Sequence, residues 1–284
     1  DSLNDKSPSQ KLLLVSVLFM ILSTFGVWCL GPAVSTLGKQ SAFYQIAIQF
    51  FLHFQFNGWF LWVILALFLK QFQQKIEEKQ FKKFYFLLST STLLTVTFPI
   101  RWFIENDILN VINAFGVILQ LMAFISFYRM LKPQINSFTS SLDKITKLVY
   151  CLAVFSLGLK IGIQLLTIFP NIAEVSHQIR NFVIGFIHLT TLGIITGFLF
   201  GILLQNKILS ADSSILKIGV KCFIGGYILT EILLFVQGWF LFLEKGIIPF
   251  YYQNILIFSI FLVLGLVLIM LSIINFKSHN LSSR

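Results

Sequence analysis

Long apolar runs separated by short polar segments occupy almost the whole chain. A helix that crosses a bilayer needs about 20 mostly apolar residues, and no part of the chain shows the period-two alternation of a membrane β-barrel. The pattern predicts an all-α polytopic membrane bundle of about eight transmembrane helices. These helices are expected near residues 12–34, 42–69, 84–100, 108–131, 147–169, 181–205, 218–243 and 252–276.

Composition excludes a water-soluble domain. Of the 284 residues, 57% are hydrophobic and 11% are charged, whereas soluble domains carry roughly 25% charged residues. The first apolar run is longer than the core of a signal peptide and no clear cleavage site follows it, so it is interpreted as a membrane helix. The three cysteines lie inside apolar runs without CxxC spacing, which indicates neither a disulfide framework nor a zinc site.

The basic residues predict the topology. Of the 21 Lys and Arg residues, sixteen fall at the two ends and in the connections of one side, and four fall on the other side. The positive-inside rule places the richer side in the cytoplasm. We therefore expect a multi-pass protein of a bacterial inner membrane with both termini cytoplasmic. Its partner is the lipid bilayer, and the net charge of +10 does not indicate nucleic-acid binding because the charges lie in short loops.

Two pairs of short motifs recur at nearly the same offset. The histidine motifs are 135 residues apart and the Trp-Phe motifs are 137 apart. Helices 1–4 and 5–8 are therefore interpreted as parallel repeats, residues 1–144 and 145–284, an architecture known in transporters. The motifs are His53 with Gly58, His188 with Gly193, Trp102–Phe103, and Trp239–Phe240.

The two histidines are candidate ligands of a heme or another metal, because imidazole binds iron and copper. His53 lies on a polar stripe in which residues follow at every fourth position, so they share one helix face. The alternative is a pair of structural histidines bonded to neighbouring hydroxyls and amides. If a heme is present, Arg180 is a candidate partner for its propionates. The stripe consists of Gln45, Gln49, His53 and Asn57.

Lys160 and Glu231 are ionisable residues inside predicted helices, where charge is costly and usually functional. Both lie about 13 or 14 residues from the predicted cytoplasmic end of their helices. Because a helix rises by 1.5 Å per residue, their depths in the membrane agree. An ion pair or a proton or ion path that includes Gln49 and Asn57 is one interpretation, and a structural pair is the other. Gly193, Gly197 and Gly201 form a GxxxGxxxG ridge that predicts close helix packing.

The segment HFQFNGWF, His53–Phe60, resembles the histidine-bearing helices of the heme-copper oxidase subunit I superfamily. Phe186–Gly193 is similar to a second such helix, and the chain is most similar to small oxidase-like and nitric-oxide-response membrane proteins of Bacteroidetes type. The resemblance implies that His53 matches a metal-ligand position and His188 a heme-ligand position. It also implies that an N-terminal four-helix unit is missing. The His-His pair and the His–Tyr arrangement of the oxidase copper site are absent, so oxygen reduction is not expected.

Three functions therefore remain open. The first is a membrane heme- or metal-binding protein in electron transfer or in handling of nitric oxide or oxygen, with heme as cofactor or, second, copper. The second is a transporter or proton path that uses Lys160 and Glu231. The third is a structural subunit among other subunits of a membrane complex. No phosphate-binding glycine loop, HExxH motif or Ser-His-Asp arrangement indicates hydrolase chemistry, and the sequence leaves open whether the chain is an enzyme.

Overall fold

The computed structural model describes residues 6–72, 76–104, 106–211 and 213–282, with side chains through residue 274. The described residues are helical with no strand among them, so the predicted all-α class is confirmed. Two helices change locally into π-helix, at Phe54–Phe60 and Leu189–Thr196. The α-helices are α1 (Pro8–Leu37), α2 (Ala42–His53), α3 (Leu61–Leu69), α4 (Glu78–Leu94), α5 (Thr97–Arg101), α6 (Asp107–Ser140), α7 (Lys144–Leu166), α8 (Pro170–Gln178), α9 (Arg180–His188), α10 (Gly197–Gln205), α11 (Ser214–Phe242) and α12 (Tyr251–Ser282).

Seven of the described helices are long and apolar enough to cross a membrane. Two of the seven contain a π segment, since α2 runs through π-helix into α3 and α9 runs through π-helix into α10. The length and composition of these helices are those of a membrane protein. The spanning helices are Pro8–Leu37, Ala42–Leu69, Asp107–Ser140, Lys144–Leu166, Arg180–Gln205, Ser214–Phe242 and Tyr251–Ile274.

The predicted third span, residues 84–100, is not one continuous helix. It consists of α4, which ends at Leu94, and the short α5, which begins at Thr97. Pro99 explains the interruption, because proline lacks an N–H group and its ring clashes with the carbonyl four residues earlier, here Thr95. Among the described residues, seven of the eight predicted spans are thus single helices long enough to cross a membrane, and the third is a broken helix.

Local sequence signals mark several helix starts. Ser7 caps α1 in a reciprocal capping box with Gln10, and a proline occupies the first helical position. Asp143 precedes α7, and its Oδ1 accepts hydrogen bonds from the backbone N–H groups of Ile145 and Thr146 at 2.9 and 3.0 Å. These side chains satisfy backbone donors that have no partner inside the helix.

Packing divides the chain into two compact units. The first unit is Asp1–Ser140 with Gly158–Glu174, and the second is Ser141–Leu157 with Val175–Arg284. The second half of α7 thus packs with the first unit, although it follows the predicted repeat boundary at residue 144. The equivalence of two four-helix repeats stays a prediction.

The glycine ridge packs as predicted. In the second unit it lies against the first half of α7, where its three glycines face Ser156, Ala153 and Tyr150 in turn. A Cβ atom at Gly197 would lie 3.0 Å from the Cβ of Ala153. Small residues let two helix backbones approach closely, and the helix that carries His188 is therefore held firmly against α7.

Candidate functional site

His53 lies at the end of α2 in the first unit and is buried. Its Nε2 atom is 2.8 Å from the backbone oxygen of Thr92 in the last turn of α4. A carbonyl oxygen can only accept, so Nε2 carries the hydrogen and donates it. Carbonyls in the last turn of a helix lack partners inside the helix. His53 therefore caps α4 just before the interruption that Pro99 causes.

The second ring nitrogen of His53 is also in contact with a donor. The side-chain Nδ2 of Asn57 lies 3.4 Å from His53 Nδ1, which accepts its hydrogen. The same end of α4 is held by Trp62, whose Nε1 donates to the Thr92 hydroxyl at 3.3 Å. Both imidazole nitrogens are thus engaged, and a metal at either one requires a hydrogen bond to break.

The π segment Phe54–Phe60 begins directly after His53. Gly58, within this segment, lies against the side chain of Phe19 on α1, and an added Cβ would come within 2.8 Å of the Phe19 Cβ. The π segment Leu189–Thr196 likewise begins directly after His188 and contains Gly193 in close contact with α7. The distortion falls at the same offset from both histidines, and π segments are frequent at functional sites.

Lys160 is fully buried in the second half of α7, which belongs to the first unit. Its Nζ donates to the Gln164 side-chain oxygen at 2.8 Å, one turn further along the helix. Beyond it, the Thr167 hydroxyl donates to the Gln164 backbone oxygen at 2.7 Å and accepts from Asn113 Nδ2 of α6 at 3.3 Å. Buried Lys160 and buried Asn113 are thus connected through the half-buried Gln164 and Thr167, with the link at Gln164 running from its side chain to its backbone.

The register of α6 against α7 extends this series. Gly158 lies beside the Phe124 ring and Thr167 contacts Asn113, so the two helices run antiparallel. Gln120 then lies at about the level of Lys160. Gln120 is buried, and its side-chain oxygen has no hydrogen-bond partner among the described residues.

In the second unit, His188 is half-buried at the end of α9. Its Nδ1 atom is buried and has no hydrogen-bond partner within the described part of the chain. Glu231 of α11 is buried, with 7% of its surface exposed, and neither carboxylate oxygen has a partner there. An unpartnered buried polar group is costly, so both side chains need an explanation.

The packing of α11 on α9 and its π segment sets the position of Glu231. Three contacts join Phe182 with Gly238, Gly185 with Phe235, and Gly193 with Tyr227. In each pair the residue numbers add to 420, as expected for antiparallel helices in a constant register. Glu231 therefore lies at about the level of residues 188 and 189.

The faces of these helices agree with the register. Residues spaced by three or four positions share one side of a helix. Glu231 therefore lies on the face of α11 that packs against α9 and its π segment, and it is level with His188. The α11 face consists of Tyr227, Glu231, Phe235 and Gly238, and the facing residues are Phe182, Gly185, Leu189 and Gly193.

One turn from Glu231, two buried hydroxyls bond to each other. Tyr227 Oη and Ser156 Oγ are 3.0 Å apart, and both contact the backbone at Gly193. Sequence reasoning missed Ser156 and Tyr227, and also Gln164 and Thr92 in the first unit. A count of every hydroxyl and amide inside the apolar runs would have included them, but only the packing separates them from ordinary helix-bonded serines and threonines.

The structure also shows where the other predicted site residues lie. Arg180 is exposed at the first position of α9, about 12 Å along the helix from His188 at 1.5 Å per residue. Gln49 and Asn57 are half-buried in the helix of His53. Lys160 belongs to the first unit and Glu231 to the second, and their predicted pairing stays a prediction, as does the heme or metal ligation by both histidines.

A heme with His53 and His188 as its two axial ligands fits this structure poorly on the side of His53. His53 has both nitrogens hydrogen-bonded, whereas His188 offers a nitrogen without a partner. Among the described residues, no three His, Cys, Asp or Glu side chains gather into a group that could hold a metal ion.

No family model matches this chain, and no curated protein or solved structure is significantly similar to it.

Proposed function

We propose that this chain is a membrane transport protein that moves protons, alone or with another small ion, through the polar interior of its helix units. The observation that supports this proposal is Lys160, a fully buried lysine within a spanning helix. Insertion scales assign such a residue a cost of about 2.5–3.5 kcal/mol. Intramembrane lysines of this kind commonly mark ion paths or proton relays.

The surroundings of Lys160 support a path more than an isolated structural contact. Lys160 bonds the Gln164 side chain, and the Gln164 backbone oxygen is bonded to Thr167 and, through Thr167, to Asn113. Gln120, at the level of Lys160, keeps a buried acceptor without a described partner. A series of donors and acceptors with an open acceptor can accommodate a proton or water more readily than a closed packing contact.

The test is proton flux through the reconstituted full chain. Liposomes loaded with a pH-sensitive dye are given a potassium gradient, and valinomycin then sets the membrane potential. We expect the wild type to acidify or alkalinise the lumen, and Lys160→Met to reduce the rate about tenfold or more. The matched control is Lys144→Met, which removes an exposed lysine at the start of the same helix. Equal rates in Lys160→Met and the wild type, or a wild-type rate equal to that of empty liposomes, contradict the proposal.

A second candidate is heme binding in a bacterial inner membrane, with His188 as the axial ligand. The observation that favours it is the unpartnered ring nitrogen of His188. Axial ligation, second-shell bonds and burial tune a heme potential. Oxidised and dithionite-reduced absorption spectra of protein expressed with added heme provide the test. A Soret band that His188→Ala removes and His53→Ala retains supports this candidate, and a featureless wild-type spectrum contradicts it.

A further inference from the structure

Glu231 and His188 carry three unpartnered atoms at one level of the second unit. They are the two carboxylate oxygens and the imidazole Nδ1. Glu231 is more than nine-tenths buried and lies on the α11 face that packs on the helix of His188. No described group donates a hydrogen to the carboxylate oxygens or to Nδ1, and Nδ1 carries a lone pair when the imidazole is in its Nε2–H tautomer. A carboxylate and such an imidazole at one level of two packed helices can bind a cation together.

The chemistry of the donors selects the cation. Imidazole nitrogen binds zinc, iron, nickel and copper well, whereas sodium and magnesium prefer oxygen ligands alone. A carboxylate adds negative charge and one or two oxygens. The Tyr227 hydroxyl, one turn away on the same face of α11, and the Ser156 hydroxyl of α7 that it bonds supply further oxygens nearby. We propose that Glu231 and His188 form a binding site for a divalent transition-metal cation.

The number of ligands indicates how the site is used. Structural zinc sites are closed by four protein ligands, and this site has two strong ones. A site with two side-chain ligands leaves positions to water or to a moving ion, which suits an ion that passes through. As a transport site, the inference rests on the proposed transport function and identifies a class of substrate for it. As a binding site, it stands on the geometry of the second unit alone.

The test uses Co²⁺ as a probe, because its visible absorption reports nitrogen and oxygen coordination. The full chain is purified in detergent with a tag that lacks histidine, treated with chelator and titrated with CoCl₂, and ZnCl₂ then competes. We expect one saturable site per chain. Glu231→Gln and His188→Gln should each raise the Kd for Co²⁺ at least about tenfold, which is about 1.4 kcal/mol. The double variant should raise it little further, because either loss disables the same site.

Two control variants separate loss of the site from unspecific effects and from misfolding. Glu244→Gln changes an exposed carboxylate at the end of α11 and should bind Co²⁺ like the wild type. Glu231→Asp keeps the carboxylate if Glu231→Gln fails to fold, and it should retain weakened binding. Absence of stoichiometric Co²⁺ binding, or equal binding in the wild type and both site variants, overturns the proposal.

The failure of this site and that of the proposed function give different results. A wild type that moves protons in a Lys160-dependent manner without binding Co²⁺ refutes the metal site alone. A wild type that binds Co²⁺ through Glu231 and His188 but carries no proton or Co²⁺ into liposomes refutes transport and retains the site.

Discussion

The hydrogen bonds of His53 give the sharpest test of whether this histidine is structural. In His53→Ala the Thr92 carbonyl loses its 2.8 Å donor, and Asn57 loses the acceptor at Nδ1. A buried polar group left without a partner costs about 1–3 kcal/mol. Removal of a largely buried ring adds a cavity cost of the same order. We therefore expect His53→Ala to lower the free energy of unfolding by about 2–5 kcal/mol.

The assay is reversible unfolding of the detergent-solubilised chain by increasing mole fractions of a denaturing detergent, followed by circular dichroism. Trp62→Phe tests the same anchor from another side chain: it removes one neutral hydrogen bond to Thr92 and part of a fully buried ring, so it should cost about 1–3 kcal/mol. Gln45→Ala is the matched control, since Gln45 Nε2 bonds an exposed backbone oxygen. An unfolding free energy of His53→Ala within about 0.3 kcal/mol of the wild type refutes the reasoning.

Three further predictions concern helix packing, a helix cap and the pH dependence of stability. Gly193→Val places side-chain atoms against Tyr227 and Ser156 and should lower the free energy of unfolding by about 1–3 kcal/mol. Its control is Gly225→Ala, whose added Cβ has nothing within 4 Å and which should be neutral or slightly stabilising in the same unfolding assay. Asp143→Ala should cost about 1 kcal/mol as the loss of an N-cap. Burial is the largest single influence on the pKa of Asp143 and raises it, but hydrogen bonds from Thr146 and Ile145 together outweigh burial and lower that pKa below 3.8. The stabilisation that this shift provides is present at pH values above the pKa of Asp143 in the unfolded chain, and it is lost as the pH falls through the pKa in the folded chain. The stability of Asp143→Asn should therefore depend less on acid pH than that of the wild type. An identical acid dependence contradicts this prediction.

The apolar runs by themselves determined that the chain is a helical membrane protein. Each run must bury its backbone hydrogen bonds within a helix, because lipid offers no partners. Length and hydropathy therefore predict seven of the spans to within about four residues, except that the span predicted to end at residue 131 continues to Ser140. The interruption of the third span followed from Pro99, a signal present in the sequence that the hydropathy pattern did not reveal. The glycine ridge on the helix of His188 was also predictable, since small residues at every fourth position have few uses other than close packing.

Only the tertiary structure decided which polar residues lie together. From helix depth, the sequence predicted a pair of Glu231 and Lys160, which stays a prediction, because depth is one coordinate and says nothing about which helix faces are in contact. The packing of α11 on α9 brings Glu231 to about the level of His188, and the antiparallel packing of α6 on α7 connects Lys160 to other polar groups of the first unit. The hydrogen bonds that engage His53 likewise depend on where α4 ends against α2. Periodicity along one helix determines which residues share a face, and only packing between helices determines what that face meets.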